Sequence, residues 1–478
     1  MRFILAVLAV CRLALAGGAG EGPVSGVRET VRQQLAQDNF RAALDAARAA
    51  VKQSPRSADA WSALAGALFR SGDFDGAEDA ARKSLELRPA DPDALVALAR
   101  VLATQGEHAQ ARRELEAAIQ ADPVHPAALR LLAGCMDTNL ERKKAADLAR
   151  RFVELNPPGQ ELFVEHSRRF LRVLDTLRDV RLNEMPRWED RAERIVLPLR
   201  VGADGLSLTL ALAGQQRRFQ LDTAEEGLTV SAETVRTLGL KSIGELPGVA
   251  ATGLAPMGVV VVPDLEAAAC RVRNVLAGVG ASDLVGPGLF SGYRVKLDLA
   301  AGQLVLTRQP RDAAPHPKDI IAAPSGTTRF RFRALGKLIW TPVSFPRRPA
   351  AFKDRPAWGM LDTACEPPAA LTPRCLEALR AGGTEGPQAI PLQSTLAGSA
   401  GQASTPQLLW VLPELSVTVL GAAVRADGAL AGRTFGEISR VVEAEMDLIV
   451  GWPVLHRVCK SLEIDFEKCV LTVEHRRN

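Results

Sequence analysis

The stretch Arg218-Phe-Gln-Leu-Asp-Thr-Ala-Glu-Glu-Gly-Leu-Thr-Val-Ser231 has a twin at Pro356-Ala-Trp-Gly-Met-Leu-Asp-Thr-Ala-Cys-Glu-Pro-Pro-Ala-Ala-Leu-Thr372. Each reads as a short apolar strand, then Asp-Thr-Ala, then a turn, then a second apolar segment. Asp-Thr after one strand is a common turn start, because a short oxygen-bearing side chain can bond its own backbone. Two copies with matching flanks imply a duplicated domain whose aspartates, Asp222 and Asp362, meet in one site.

The flanks repeat as well. Around the first copy, Ile195 to Leu212 alternates apolar and polar residues about Gly202 and Gly205, which predicts a hairpin. Leu228 to Val230 reads as a strand and Ala232 to Leu238 as a short helix ending at Gly239. Gly248 to Gly258 reads as a mobile loop. Leu284 to Phe290 and a hairpin from Tyr293 to Thr307 close the unit. After a Pro- and Ala-rich linker, Arg308 to Ser325, the second copy follows the same order. It has a strand at Leu338 to Phe345, a short helix at Leu371 to Arg380, and a small-residue loop at Leu396 to Gly401. Leu448 to Leu455 and a hairpin from Val458 to Val473 end it. The aspartates lie 140 residues apart and Gly286 and Gly451 lie 165 apart. The second copy therefore carries an insertion, within Gly382 to Gln407 or Gly421 to Val442.

The first third has a different grammar. Pro55, Pro89, Pro123 and Pro157 recur every 34 residues, in register with Ala43, Ala77, Ala111 and Ala145. Trp61, Leu95 and Leu129 share another position, and Leu64, Leu98 and Leu132 the next. A strict 34-residue helix–turn–helix period is the tetratricopeptide pattern. Alanine lets helices cross closely, large residues fill the gaps, and proline ends each second helix. Four repeats cover Val27 to Pro157. The apolar positions Leu162, Phe163, Phe170, Leu171, Val173, Leu174 and Leu177 predict a closing helix over the last repeat. Such arrays present a concave groove, so a protein or peptide partner is expected there.

The chain is 478 residues long, enough for about three domains, and its 47% hydrophobic content supports full cores. A net charge of +4, with basic residues scattered and not interleaved with aromatics, sets nucleic acid aside. Met1 to Ala16 resembles a secretory signal, with Arg2, an apolar run and an Ala14-x-Ala16 cleavage motif. Export to the periplasm or the outside is the expectation, with membrane contact only through an uncleaved N-terminus. Isolated histidines and no Cys-x-x-Cys spacing argue against zinc, so neither metal nor cofactor is expected. The pairing of Cys365, Cys375, Cys459 and Cys469 is left open.

Apolar-apolar-Asp-Thr-x, then apolar-apolar-Gly-x-x-apolar downstream, then an Asp-containing final hairpin, resembles the bacterial retropepsin-like aspartyl protease family over Arg194 to Glu474. The fold class is therefore multidomain α plus all-β: a signal segment (1–19), a tetratricopeptide domain (24–183), and two retropepsin-like β-barrel lobes (194–307 and 326–475) joined by the linker. The resemblance implies an aspartic endopeptidase with Asp222 and Asp362 as the dyad. Thr223 and Thr363 would brace the two loops. Gly286 and Gly451, with Val285 and Val450, would pack beneath them, and Gly248 to Gly258 and Leu396 to Gly401 would be the flaps. The family motif is Asp-Thr-Gly, whereas this chain has Ala224 and Ala364. Alanine keeps the backbone N–H but adds a methyl and restricts φ. Glu225 and Cys365 stand where the family has small residues, and Glu225 would bring a third carboxylate near the pair. The alternatives are an inactive binding scaffold on the same folds, and copies that pair between two chains.

Overall fold

The computed structural model describes residues 26–37, 39–136, 141–177, 192–250, 253–268, 270–290, 292–309, 326–336, 338–346, 349–353, 355–381, 388–396, 405–432, 435, 439 and 442–476. The expected signal segment, the join at 185–191, nearly all of the linker and most of the Leu396 to Gly401 loop lie outside the described residues.

The solenoid consists of helices α1 (Val27–Ala36), α2 (Phe40–Gln53), α3 (Ala58–Arg70), α4 (Phe74–Leu87), α5 (Pro92–Thr104), α6 (His108–Ala121), α7 (Pro126–Gly134), α8 (Arg142–Leu155) and α9 (Glu161–Thr176). The recurring Ala43, Ala77, Ala111 and Ala145 are all buried, where a larger side chain would hold the helices apart. Ser57, Asp73 and Asp91 cap α3, α4 and α5 by accepting from the N3 backbone N–H.

A large β-rich region follows. Its first half holds β1 (Arg194–Pro198), β2 (Arg200–Gly202), β3 (Gly205–Leu212), β4 (Gln215–Leu221), β5 (Leu228–Ser231), α10 (Ala232–Thr237), β6 (Ser242–Ala250), β7 (Gly253–Ala267), β8 (Cys270–Gly280), β9 (Leu284–Val285), β10 (Tyr293–Asp298) and β11 (Gln303–Arg308). Its second half holds β12 (Thr327–Arg331), β13 (Arg333–Leu335), β14 (Leu338–Ser344), β15 (Ala357–Leu361), β16 (Ala369–Leu371), α11 (Pro373–Arg380), β17 (Ile390–Leu396), β18 (Thr405–Leu412), β19 (Ser416–Val419), β20 (Ala422–Arg425), β21 (Ala429–Ala431), β22 (Leu448–Val450), α12 (Trp452–Val458), β23 (Cys459–Asp465) and β24 (Val470–His475).

The two halves repeat one strand pattern. In the first, β4 runs parallel to β9, β9 antiparallel to β5, and β5 parallel to β8. In the second, β15 runs parallel to β22, β22 antiparallel to β16, and β16 parallel to β21. Each Asp-Thr-Ala turn is therefore gripped between a strand that enters it and a strand that leaves it, both paired to the same downstream strand.

Three sequence expectations need correction. The hairpin predicted over Ile195 to Leu212 is confined to β2 and β3, while β1 leaves to pair with β11. The alternation was real, but Leu199 bonds Gly302 and breaks the run in two. The described residues of the Gly248 to Gly258 stretch are no loose loop: 248–250 and 253–258 form the distal part of a long antiparallel hairpin, β6 with β7, in which even Ala250 pairs with Gly253, while 251–252 lie outside the described residues. The boundary between 194–307 and 326–475 also cuts through a shared sheet, ordered β1-β11-β10-β23-β24-β12. There the closing hairpins of both halves meet edge to edge, so neither leaves an open edge there.

The solenoid does not stand apart from the β region. Trp340, Trp358, Met360, Met446 and Ile449 are buried in one continuous core with the repeat helices. The indole N–H of Trp358 donates to Gly72 O at 2.7 Å, and its ring packs on Phe74 with centroids 5.3 Å apart. Gly72 and Gly106, in the turns of two successive repeats, have φ of +81° and +85°. A Cβ at Gly72 would lie 3.1 Å from Trp358, and one at Gly106 3.2 Å from Cys469 Sγ. These glycines serve both the turn and the docking.

Candidate active site

Asp222 and Asp362 come together within one chain, each half-buried at the end of its strand. Their carboxyl groups lie close enough to act on each other's ionisation. The loops that carry them are tied by a reciprocal threonine brace. Thr363 N donates to Thr223 Oγ1 and Thr223 N to Thr363 Oγ1, both at 3.1 Å. The hydroxyls then cross over, Thr223 Oγ1 to Leu361 O at 2.8 Å and Thr363 Oγ1 to Leu221 O at 2.6 Å. Both threonines are almost fully buried, so every hydroxyl and N–H in the brace would be orphaned if its partner left.

Downstream strands fix the loops from below. Asp222 N donates to Val285 O and Asp362 N to Val450 O, each at 3.0 Å. Gly286 and Gly451 follow, and here the need for glycine is steric. A Cβ at Gly286 would sit 1.7 Å from Glu225 O, and one at Gly451 1.8 Å from Pro367 O. The aspartate loops pass directly over these two glycines. Pro367 and Pro368 serve the same layer, since Gly451 N donates to Pro368 O at 3.0 Å.

The alanines that depart from Asp-Thr-Gly are accommodated without strain. Neither takes a positive φ. Ala224 N donates to Asp222 Oδ1 at 2.7 Å and Ala364 N to Asp362 Oδ1 at 2.8 Å. Glu225 is turned into its own loop, accepting from Thr229 Oγ1 at 2.9 Å and Gly227 N at 3.2 Å.

The electrostatics follow from the geometry. Burial first, then the Asp362 charge, push Asp222 well above the ordinary carboxylate range. Glu225 adds to that push. Burial raises Asp362 too, opposed by the N–H groups of Ala364 and Cys365. Two carboxyls in this arrangement hold one proton between them, because both cannot ionise cheaply at contact. Burial also pushes the Cys365 thiol well up, and the neighbouring aspartates push it further. It is a neutral SH; the six described cysteines are all free thiols.

The hairpin β6–β7 is not free at its base. Val173 and Leu177, at the end of α9 and just beyond it, pack on Ile243, Leu246, Val261 and Leu276. Arg169 reaches Glu245 at 3.0 Å. The closing helix therefore covers the last repeat with one face and this hairpin with another. A second hairpin, β17–β18, belongs to the second half, with Ile390 and Leu392 exposed. An open cavity of about 640 Å³ lined by Gly202, Trp452, His456, Arg457 and Arg476, among others, includes neither aspartate.

Two family models described as tetratricopeptide repeat match residues 29–92 and 68–135. The N-terminal helical region is a tetratricopeptide repeat array. Tetratricopeptide repeats support a protein-binding role. No curated protein matches the chain. Among solved structures it is similar to a MamA RS-1 ArsTM double mutant, at 21% identity over 34% of this chain and 89% of that one, with a TM-score of 0.26. It is also similar to a MamA protein, at 20% identity, 30% and 76% coverage and a TM-score of 0.23. A mutant of Thermobaculum terrenum O-GlcNAc transferase matches at 16% identity, over 27% of this chain and 26% of that one, with a TM-score of 0.24. At these TM-scores the likenesses carry no argument.

One feature of the array escaped the sequence reading. Arg70, Arg100 and Arg130, on α3, α5 and α7, converge on Glu443 from the β region. The signal was present in the sequence: the arginines are spaced by 30 residues, which is the 34-residue repeat less about one helical turn. That spacing keeps one helix face while climbing a turn per repeat.

Proposed function

We propose that this chain is an exported aspartic endopeptidase. The observation that carries the reading is the reciprocal threonine brace that sets Asp222 and Asp362 side by side. In the singly protonated pair, the ionised carboxylate takes a proton from a water attacking a peptide carbonyl. The protonated carboxyl donates to the developing oxyanion. Neither aspartate is assigned the proton, because the pair titrates as a unit. The threonine brace and the glycine layer hold the two oxygens in register, which is the positional precision that general acid–base catalysis needs. The raised titration of the pair supports a singly protonated form that persists above the ordinary carboxylate range. Cleavage is expected to be strongest in mild acid and to fall as pH rises and both groups ionise. The β6–β7 and β17–β18 hairpins are the candidate covers of a bound peptide. The repeat array contributes protein binding.

The test is cleavage of a denatured protein mixture from pH 3 to 7 by the wild type, Asp222→Asn and Asp362→Asn. Either substitution is expected to remove activity by at least ~10³-fold, the scale of losing an essential acid–base group. A folded wild type that cleaves nothing at any pH sinks the reading. One observation favours the second reading, a binding scaffold: the N–H groups of Ala224 and Ala364 bond the aspartates as ordinary loop caps do.

A further inference from the structure

Glu443 occupies the face formed by the first helices of three successive repeats. Arg100 Nη2 bonds its Oε2 at 2.9 Å, Arg130 Nη2 bonds the same oxygen, and Arg70 Nη1 lies 3.9 Å from Oε1. All four side chains are 12–16% exposed. Each guanidinium also lies over a ring: Arg70 over Phe40, Arg100 over Phe69, and Arg130 over Phe163 at 4.1 Å. The socket is thus built from side chains of all four repeats and the closing helix, and is filled by a residue far away in sequence. Glu443 pays for its seat with a left-handed backbone, φ +53°, which an L-residue adopts only where its surroundings hold it.

The segment leaving the socket is held at every second residue. Glu445 N donates to Arg70 O at 3.0 Å, and the Glu445 carboxylate pairs with Arg374 and with Arg355 at 3.3 Å. Asp447 takes both Arg355 nitrogens, at 2.7 and 2.8 Å, and the Trp358 N–H at 2.8 Å. The residues between, Ala444 and Met446, are buried in the core shared with the repeats. Three residues later Val450, the end of β22, accepts the backbone N–H of Asp362. No slack remains between the arginine socket and the loop that carries the second aspartate.

We infer that Glu443 is a positioning residue for the aspartate pair: the arginine socket of the repeat array sets strand β22, and through it the approach of Asp362 to Asp222. The inference rests on the two aspartates acting as a pair. The array is then a structural half of the site as well as a binding module. A merely structural Glu443 would lower stability without touching the interaction between the carboxyls.

A double-mutant cycle separates these. Thermal unfolding is compared on the alkaline side of the pair's titration for the wild type, Asp222→Asn, Glu443→Gln and the double variant, with circular dichroism to confirm folding. Once the pair has lost its shared proton, Asp222→Asn leaves one buried charge where the wild type has two, so there it is expected to raise the Tm of the otherwise wild-type chain. In the Glu443→Gln background at least about half of that gain is expected to vanish, because effects at coupled sites do not add. Hydrogen exchange at the amides of 448–450 and 362–364 is expected to quicken in Glu443→Gln, with those of β4 and β9 unchanged. Equal gains in both backgrounds, or unchanged exchange at 448–450, overturn the inference while leaving the pair intact. No gain from Asp222→Asn in the wild type removes the pair itself. If Glu443→Gln does not fold, Arg130→Lys serves in its place: it keeps the charge but loses the planar fork. The same two outcomes decide.

Discussion

At Asp222 and Asp362 two carboxyls face each other, held by backbone N–H groups and with no cation in contact among the described residues; at Glu443 one carboxyl is buried against three guanidinium groups. Burial alone pushes all three acids up. At Glu443, Arg100, Arg130 and Arg70 override it and hold the carboxyl at about 2. At the pair no group does: the Asp362 charge adds to the rise of Asp222, and at Asp362 the N–H groups of Ala364 and Cys365 only moderate it. The difference lies in what each centre is asked to do. A socket that holds two parts of the molecule together gains from permanent charge. A pair that shares a proton must be kept from ionising fully, and the fold bears the cost of that.

Breaking the socket gives the largest expected effect. Glu443→Ala leaves three cations facing one another in a mostly buried site, and one orphaned partner of a buried ion pair costs about 3–5 kcal/mol. Chemical denaturation should show the loss as a lower midpoint. A change below ~1 kcal/mol would mean that the guanidinium groups reach solvent and that the socket is weaker than its geometry implies.

The brace is next. Thr363→Val keeps the shape and removes one hydroxyl, which strands Thr223 N and Leu221 O in a buried site. Each orphan costs about 1–3 kcal/mol. Thr223→Val strands the equivalent pair on the other loop, so the two variants should lose similar stability. Unequal losses would show that the two halves share the brace unevenly, despite its symmetric bonds.

A pH scan sets the two centres against each other. The raised acids of the pair favour folding most below their unfolded value, and that contribution is lost as pH rises through their folded range. Glu443 works the other way: its contribution is present above its unfolded value of 4.5 and is lost as pH falls from there toward about 2. Asp222→Asn should therefore flatten the decline on the alkaline side only, whereas Glu443→Gln should flatten the acid-side decline and, because the socket positions the pair, soften the alkaline-side decline as well. Burial, with Asp447, also lifts Glu445 to about 7, against the pull of Arg374 and Arg355, so part of the alkaline-side slope should survive Asp222→Asn. A scan in which Asp222→Asn changes only the acid limb, or Glu443→Gln leaves the acid limb untouched, would break the comparison.

The sequence carried the periodic and the duplicated features and missed the ones made by tertiary pairing. The 34-residue period named the repeats because every helix crossing needs the same small residue. The two Asp-Thr-Ala turns and Gly286 and Gly451 were legible because close backbone approach leaves one residue type at each place. Strands β12, β13, β19 and β20 were not read, because short strands of mixed polarity gain their identity from partners. Tyr293 to Asp298 could be read as a strand, but its pairing with β23 across the two halves could not. The socket shows the same limit from the other side. Its arginines sit at a readable spacing, while Glu443 borders the predicted insertion, where nothing local says which surface it meets.

Restoring glycine at the third motif position has the smallest expected effect. Ala224→Gly and Ala364→Gly keep the N–H that donates to each Asp Oδ1. Since neither alanine has a positive φ, glycine relieves no strain and only adds freedom to the unfolded chain. Each change should cost about 0.4–1 kcal/mol in stability. It should leave the pH dependence of the pair where it is, because the carboxyls' partners do not change. A substantial gain in stability, or a shift of the alkaline limb, would show that the methyl groups press on the aspartate loops. The third position would then be part of how this chain sets the titration of its pair, and the contrast with the socket would rest on sterics as well as charge.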